Sequence, residues 1–403
     1  MGMDTWRPSN RSSEYVNPDV EWIGFYVDEI LPSGGTPMLD TLTEASYRLP
    51  PHIHRAPSED HALKDRRFQG IPSLAVDTNR QLWAVWYAGK SPAEDHNNYV
   101  VVARSGDGGE TWQEHLIIDP DGEGPARAFD PQVWLAPDGR VWVFWAQGLD
   151  HPNKFGPSGV WTMILDEANG ENVEWSQPER LCDGVMMCKP LVLSTGTWAL
   201  PVSFWHRRDA QSAGIVVSTD RGRTWYERGA CDVPPDVRDH DEHMLVERPD
   251  GSLWMLVRTK YGIGESISRD DGTTWSALTP ASMQHPSARF FVRRLSSGIL
   301  ILIKHGPIAD RTGRSDLTAY LSSDDGQTWS QGLLLDERNG VSYPDGQQDE
   351  KGTINVIYDH DRTGKREIMM AQFTEDDILA GHLVSKDSAL RIVVSKPAKL
   401  PTL

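Results

Sequence analysis

Cysteine is nearly absent. Cys182, Cys188 and Cys231 are the whole complement of a 403-residue chain, too few and too irregular for a disulfide framework. No Cys/His pairing has the spacing of a zinc site, so buried free thiols are expected, with no metal and no cofactor. Long apolar runs are missing as well: Gly298-Ile-Leu-Ile-Leu-Ile303 stops far short of the ~20 apolar residues of a membrane-spanning helix. Positive charge is scarce, 40 Lys and Arg against 58 Asp and Glu for a formal charge of −18. That balance argues against nucleic-acid and anionic-membrane partners, both of which select a basic face. The start, Met1-Gly-Met-Asp-Thr-Trp6, has neither the basic nor the apolar region of a secretory signal. The expectation is a soluble protein, cytoplasmic as the sequence stands and secreted or periplasmic if a leader was trimmed.

What is abundant are turn formers and aromatics: 35 Gly, 27 Pro and 16 Trp. This mixture favours one large all-β unit over two or three domains of about 150 residues. One octapeptide, S-x-D-x-G-x-T-W, occurs four times without exception. Ser105-Gly-Asp107-Gly-Gly109-Glu-Thr111-Trp112 recurs as 218–225, 268–275 and 322–329. Such a box suggests a tight hairpin turn in which Asp accepts from turn N–H groups, Gly takes positive φ and Trp packs beneath. Successive boxes stand roughly 50 residues apart, except that the first gap spans two periods and is divided by a degenerate copy ending at Trp175.

A second repeat supplies the count. Six segments, 73–87, 132–146, 191–205, 243–258, 291–304 and 348–358, alternate apolar and polar residues about a short turn. Each reads as an antiparallel strand pair, and most lead through a third strand into a box. Six such units describe a six-bladed β-propeller. The expected organisation is an N-terminal extension, 1–65, and a propeller, 66–403. A terminal strand should close the ring, with 20–31 and 389–394 as candidates, while 49–55 reads as coil. Residues 374–379 read as one short helix with a Thr N-cap and acids in its first turn.

Ligands of propellers usually bind where loops meet at one mouth of the central channel. Polar residues recur just before or inside the innermost strand of successive units: Gln69, Asp130, Gln132, Lys189, Glu242, Arg289 and Tyr343, with Arg258 ending the next strand of the fourth unit. A mere surface would not repeat that placement blade after blade. The box aspartates, by contrast, carry one carboxylate each without calcium-loop spacing and read as structural.

With these motifs in place, residues 66–375 resemble the sialidase (neuraminidase) superfamily, whose six-bladed propellers carry such boxes. The resemblance implies a tyrosine nucleophile after the last box, where Ser342-Tyr343-Pro344 stands. It implies a carboxylate partner in E-x-x-x-V-E-x-x-D-G-x-L, matched from Glu242 to Leu253, with a substrate-binding arginine at Arg258. A second arginine, in R-x-x-L-T, is matched by Arg314. The acid/base position falls on Glu94-Asp95-His96, with Asp95 preferred. The pattern departs at F-R-I-P: this chain reads Phe68-Gln69-Gly70-Ile71-Pro72, so one arginine of the triad is missing, and Arg66, Arg67 and Arg289 do not match it. Gln69, Gln132, Lys189, Arg289 and His243 complete the expected substrate-binding set.

The expected activity is therefore that of an exo-acting retaining glycoside hydrolase, cleaving a terminal, acidic sugar other than common sialic acid. A phenol with a pKa near 10 needs a base, which Glu242 would supply, and the arginines would favour the phenolate. A neutral nucleophile suits an anomeric centre bearing a carboxylate, and tyrosine nucleophiles are a known exception among glycosidases. Two other readings stay open: a lyase acting on a uronate glycan through Tyr343 or His243, and a non-catalytic carbohydrate-binding propeller. In purely structural terms, Tyr343 would be a strand aromatic, Glu242 and Arg258 an ion pair, and 94–96 a polar loop.

Overall fold

The computed structural model of the protein describes residues 46–149, 156–169, 172–207 and 212–398. Two compact units are distinguished, Met1–Leu42 and Thr43–Leu403; the first, with the candidate closing strand 20–31, lies outside the described residues. The second is built from six antiparallel sheets that follow one another along the chain. Their innermost strands are Phe68–Val76, Ala126–Leu135, Leu191–Val192, Arg238–Glu247, Phe291–Arg294 and Val341–Gln348. The inner strands of the second, first, sixth, fifth and fourth sheets contact one another in that order, and the third sheet meets the fourth through Trp198–Ser203 and packs on the second through Trp142 and Trp198, so the protein is a six-bladed β-propeller. Among the described residues no helix is long and apolar enough to cross a membrane.

The sequence explains why the blades stand face to face. Strands such as Leu82–Gly89 and Tyr99–Ser105 are rich in β-branched and aromatic residues and are buried almost throughout, as strands covered on both faces must be. The core accordingly lies between blades. One layer joins Leu74, Trp86 and Val101 of the first blade to Ile357 and Met370 of the sixth, and another joins Trp142 and Phe144 to Trp198 and Leu200.

The boxes join the third strand of a blade to the fourth. In the second of them, Ser218 Oγ accepts from Gly222 N at 2.7 Å, and Asp220 accepts from Thr224 N at 2.9 Å and Thr224 Oγ1 at 2.7 Å. Gly222 has φ +83°, and a Cβ there would lie 2.7 Å from Cη2 of Trp142 in the preceding blade. The box is thus a turn and also a close contact between blades, which is why its glycine is needed twice over.

The ring closes where blade 1 meets blade 6, through side chains reaching across to neighbouring groups. Asp345 Oδ2 accepts from Ser73 Oγ (2.6 Å) and Leu74 N (3.0 Å). Gln347 pairs with both backbone groups of Val76, and Asp359 Oδ2 accepts from Ile71 N at 2.8 Å. Ala389–Ser395, the other closing candidate, is the outermost strand of blade 6. Just before it, Thr374 caps the helix Glu375–Ala380 in a reciprocal capping box with Asp377. Residues 49–55 differ from the expected coil: His52–Arg55 forms a strand on the outer edge of blade 1, paired with residues 116–119. Four residues behind two prolines are too short a stretch for periodicity to reveal.

Candidate active site

Four innermost strands share a defect. Their register slips between Gly70 and Ser73, Phe129 and Gln132, Arg238 and His243, and Ser342 and Asp345. At each slip a residue other than glycine adopts positive φ: Ile71 (56°), Asp130 (47°), His240 (61°) with Asp241 (52°), and Tyr343 (54°). A β-bulge bends its strand and re-aims a side chain, and positive φ outside glycine is costly. Four bulges at equivalent heights converge on one mouth of the channel. Because the strands alternate in direction, this mouth is at the opposite end of the blades from the boxes.

Tyr343, Glu242 and Arg258 form a closed triangle here. The Tyr343 hydroxyl donates to Glu242 Oε1 at 2.9 Å; Arg258 Nη1 donates to the same oxygen at 2.7 Å and to the phenol oxygen at 3.1 Å. All three residues are buried, and among the described residues Glu242 Oε2 has no hydrogen-bond partner. Burial, then the Glu242 carboxylate, push the phenol above its ordinary pKa, against the pull of Arg258, Arg362 and Arg314. The resting group is therefore a phenol hydrogen-bonded to a base. Asp239 and Ser287 steady the far side of Arg258, at 3.2 and 3.3 Å. Arg314, in the loop between the second and third strands of blade 5, lies 5.5 Å from the Tyr343 ring centre and donates to Ser342 Oγ.

An inner chamber of about 120 Å³ is lined by this cluster together with Glu94, Arg127, Asp130, Trp205, His240 and Arg362. A wider outer vestibule of about 520 Å³ shares Glu94, Arg314 and Arg362 with it and adds Phe68, Ser342 and Thr363. Burial first, then the charges of Glu94 and Glu242, push the Asp130 carboxyl up to about 7. Asp359 is pushed up to about 6, again chiefly by burial, while Arg362 pulls it down.

Of the two neighbouring acids, Glu94 reaches the chamber and Asp95 does not. Asp95 turns back to its own loop, accepting from Ser91 Oγ and from Asn97 N. Lys189, Gln132 and Arg289, expected to bind substrate, are not among the residues lining the chamber or the vestibule. Lys189 Nζ lies 2.7 Å from Asp345 Oδ2 and donates to Ser73 Oγ and Val133 O. Arg289 Nη2 lies 3.5 Å from Asp345 Oδ1 and 3.4 Å from Gln132 Oε1. Contributed by five blades, these groups form a buried polar plug on the axis. Gln69 is likewise committed to the seam with blade 6, donating to Arg366 O and Ser395 O, and His243 sits between the carbonyls of Asp241 and Gly214.

Arg362, which lines both the chamber and the vestibule, was passed over by sequence reasoning. Its guanidinium lies 5.0 Å from the Tyr343 ring centre and 3.2 Å from Glu94 Oε1. A Cβ on Gly70 would fall 2.3 Å from Arg362 Cδ, so the glycine at the F-R-I-P position leaves the room that this arginine's stem occupies. Asp359 spans the two, bonded to Ile71 N and 3.8 Å from Arg362 Nε. An arginine missing from blade 1 is thus matched by one rising from blade 6. A usable sequence signal was the X-Pro step shared by Ile71-Pro72, Asp130-Pro131 and Tyr343-Pro344, which marks three of the four bulges.

Comparisons with known proteins agree with this architecture. The family model described as BNR repeat-like domain matches residues 72–356. A sialidase of Bacteroides fragilis is 24% identical over 365 residues; the match covers 81% of this chain and 65% of that protein, so the chain spans just under two thirds of its length. Among solved structures, a Hadza microbial sialidase superposes with a TM-score of 0.58 at 22% identity, covering 72% of this chain and 63% of that one. A leech intramolecular trans-sialidase complexed with 2,7-anhydro-Neu5Ac gives 0.62 at 15%, covering 82% and 71%. An α-L-arabinanase of Penicillium chrysogenum complexed with arabinobiose gives 0.56 at 13%, covering 82% and 99%.

Proposed function

The chain belongs to the BNR repeat-like domain family, with the fold of the sialidase superfamily, and from that premise we propose that it is an exo-acting retaining glycoside hydrolase for a terminal acidic sugar. The observation that carries this reading is the Tyr343–Glu242–Arg258 triangle at the floor of a chamber rimmed by further arginines.

In the first step Tyr343 Oη bonds to the anomeric carbon as its proton passes to Glu242, and Arg258 balances the developing charge on the phenolic oxygen. The bond from that carbon to the leaving oxygen breaks. Glu94, at the boundary between chamber and vestibule, protonates the departing oxygen. In the second step water, deprotonated by Glu94, attacks the same carbon, and Glu242 returns the proton to Tyr343. Arg314 and Arg362 are suited to receive the sugar's carboxylate, and Asp130 a hydroxyl. The vestibule would hold the remainder of the glycan.

A panel of acidic glycosides assayed with the wild type and Tyr343→Phe tests this. Release of a terminal sugar that the variant abolishes is expected; undiminished cleavage by the variant would sink the mechanism. An unsaturated, ultraviolet-absorbing product would indicate a lyase, and saturable glycan binding without turnover a binding propeller.

A further inference from the structure

Three of the 13 histidines fall within ten residues, His52, His54 and His61. His52 and His54 stand two apart on the short outer strand of blade 1 and so share a face, and the cross-strand partner of His52 is Asp119. The rings of His52 and His54 lie 6.3 Å apart. His61, buried at the end of the 3-10 turn Glu59–His61, brings its ring to 5.0 Å from His54 and its Nε2 to 2.8 Å from Asp119 Oδ2. One ligand atom each of His54, His61 and Asp119 lies within 4.8 Å of the other two.

We propose that His54, His61 and Asp119 bind a divalent transition-metal ion of the zinc type, with solvent completing the coordination. Imidazole nitrogens with one carboxylate suit zinc, nickel or copper, whereas calcium and magnesium want oxygen ligands. Bond lengths near 2.0–2.1 Å in a tetrahedron put ligand atoms about 3.4 Å apart, so His54 must close in by up to about 1.4 Å while the His61–Asp119 pair, at 2.8 Å, opens by about 0.6 Å. His54 is only half-buried and can supply that movement.

The outer partners are those a metal site needs. Ser58 Oγ lies 2.9 Å from His61 Nδ1 and fixes the ring. Gly122 N donates to Asp119 Oδ1 at 3.0 Å, leaving Oδ2 for the ion. The ring of Tyr99 packs edge-on against His61 at 4.6 Å. Without metal the same distances describe His61 bridging Ser58 and Asp119; engagement of His54 distinguishes the two states. Bound metal would pin the four-residue strand to blade 1, away from the Tyr343 cluster.

The test is calorimetric titration of ZnCl2 into the tag-free full chain after dialysis against EDTA. One equivalent should bind with a dissociation constant of micromolar or tighter, with no heat from CaCl2 or MgCl2. His54→Ala and Asp119→Asn should each weaken binding at least tenfold, and His382→Ala should not. Cobalt substitution should give tetrahedral visible bands that His54→Ala loses, and zinc should raise the Tm of the wild type but not of that variant. If Asp119→Asn does not fold, His54→Ala still decides. Absence of a one-equivalent isotherm, or full binding by His54→Ala, overturns the proposal.

Discussion

Asp220 in its box turn and Asp130 at the mouth are carboxylates on the same ring, yet their proton affinities move in opposite directions. Three hydrogen bonds from Thr224 and Ser218 hold Asp220 down at about 2, whereas burial among other acids lifts Asp130 to about 7. Both occupy sharply bent backbone. At the box the bend is shared by pairs such as Arg221 and Gly222, at φ +63° and +83°, and the Asp220 carboxylate is taken up by Ser218 and Thr224; at the mouth it falls on Asp130 and Tyr343, whose functional groups are turned into a chamber. One end of the blades spends its polar chemistry on holding blades together, and the other keeps it available.

Substitutions should separate the two ends. Tyr343→Phe removes one hydroxyl from the chamber and is expected to lower kcat by at least about 10³-fold, with Tm nearly unchanged in a thermal melt. Glu94→Gln should cost about 10²–10⁴-fold on glycosides with poor leaving groups and much less on activated aryl glycosides, which need no protonation. Gly70→Ala sets a methyl against Arg362 and should cost the equivalent of one charged hydrogen bond, about 1.5–3 kcal/mol or roughly ten- to hundredfold in kcat/KM, mostly through KM. At the other end, Gly222→Ala strains a turn and collides with Trp142; a loss of about 1–3 kcal/mol in denaturant unfolding, with kcat intact, is expected.

The last effect is one of sign. A depressed acid such as Asp220 stabilises the fold above its unfolded pKa, and that stability goes as pH falls from about 4 through 2. A raised acid such as Asp130 keeps its proton in the fold after the unfolded chain has lost it, so stability declines as pH rises from about 4 to 7. Asp130→Asn should therefore raise Tm relative to the wild type at pH 7.5 and leave it unchanged at pH 4. A gain at pH 4 as well would mean that Asp130 is not the group responsible.

The propeller was legible because it is written six times: hairpins at 73–87 and its five counterparts and four boxes each carry their own turn chemistry. Tyr343, Glu242, Arg258 and Arg314 were legible through motifs that fix each on one strand or loop. The direction of a side chain was not. A bulge moves every later residue of a strand to the other face, so Gln132, just past one, looked equivalent to Tyr343 and Glu242 yet belongs to the axial plug, as do Lys189 and Arg289, which stand just before the short unbulged strands Leu191–Val192 and Phe291–Arg294. Arg362 was hidden for another reason: its neighbour in space, Gly70, is nearly three hundred positions away, and no linear pattern records that one vacates what the other fills.

The joint between blade 1 and blade 6 has a mechanical consequence. Among the described residues it is made of the apolar layer between the blades, side-chain bonds such as Ser73–Asp345 and Gln347–Val76, and a backbone bond from Gln69 N to Arg362 O; no strand is shared and, unlike the other joints, no chain runs from one blade into the next. Under load or mild denaturant the ring should part there, as a clasp opens before its band tears. Glu94 and Arg362, which meet at 3.2 Å, sit on opposite sides of that clasp. Catalysis should therefore fail while the circular dichroism of the blades is still intact, and a permuted chain cut between two other blades, with the present ends linked, should hold its activity to higher denaturant.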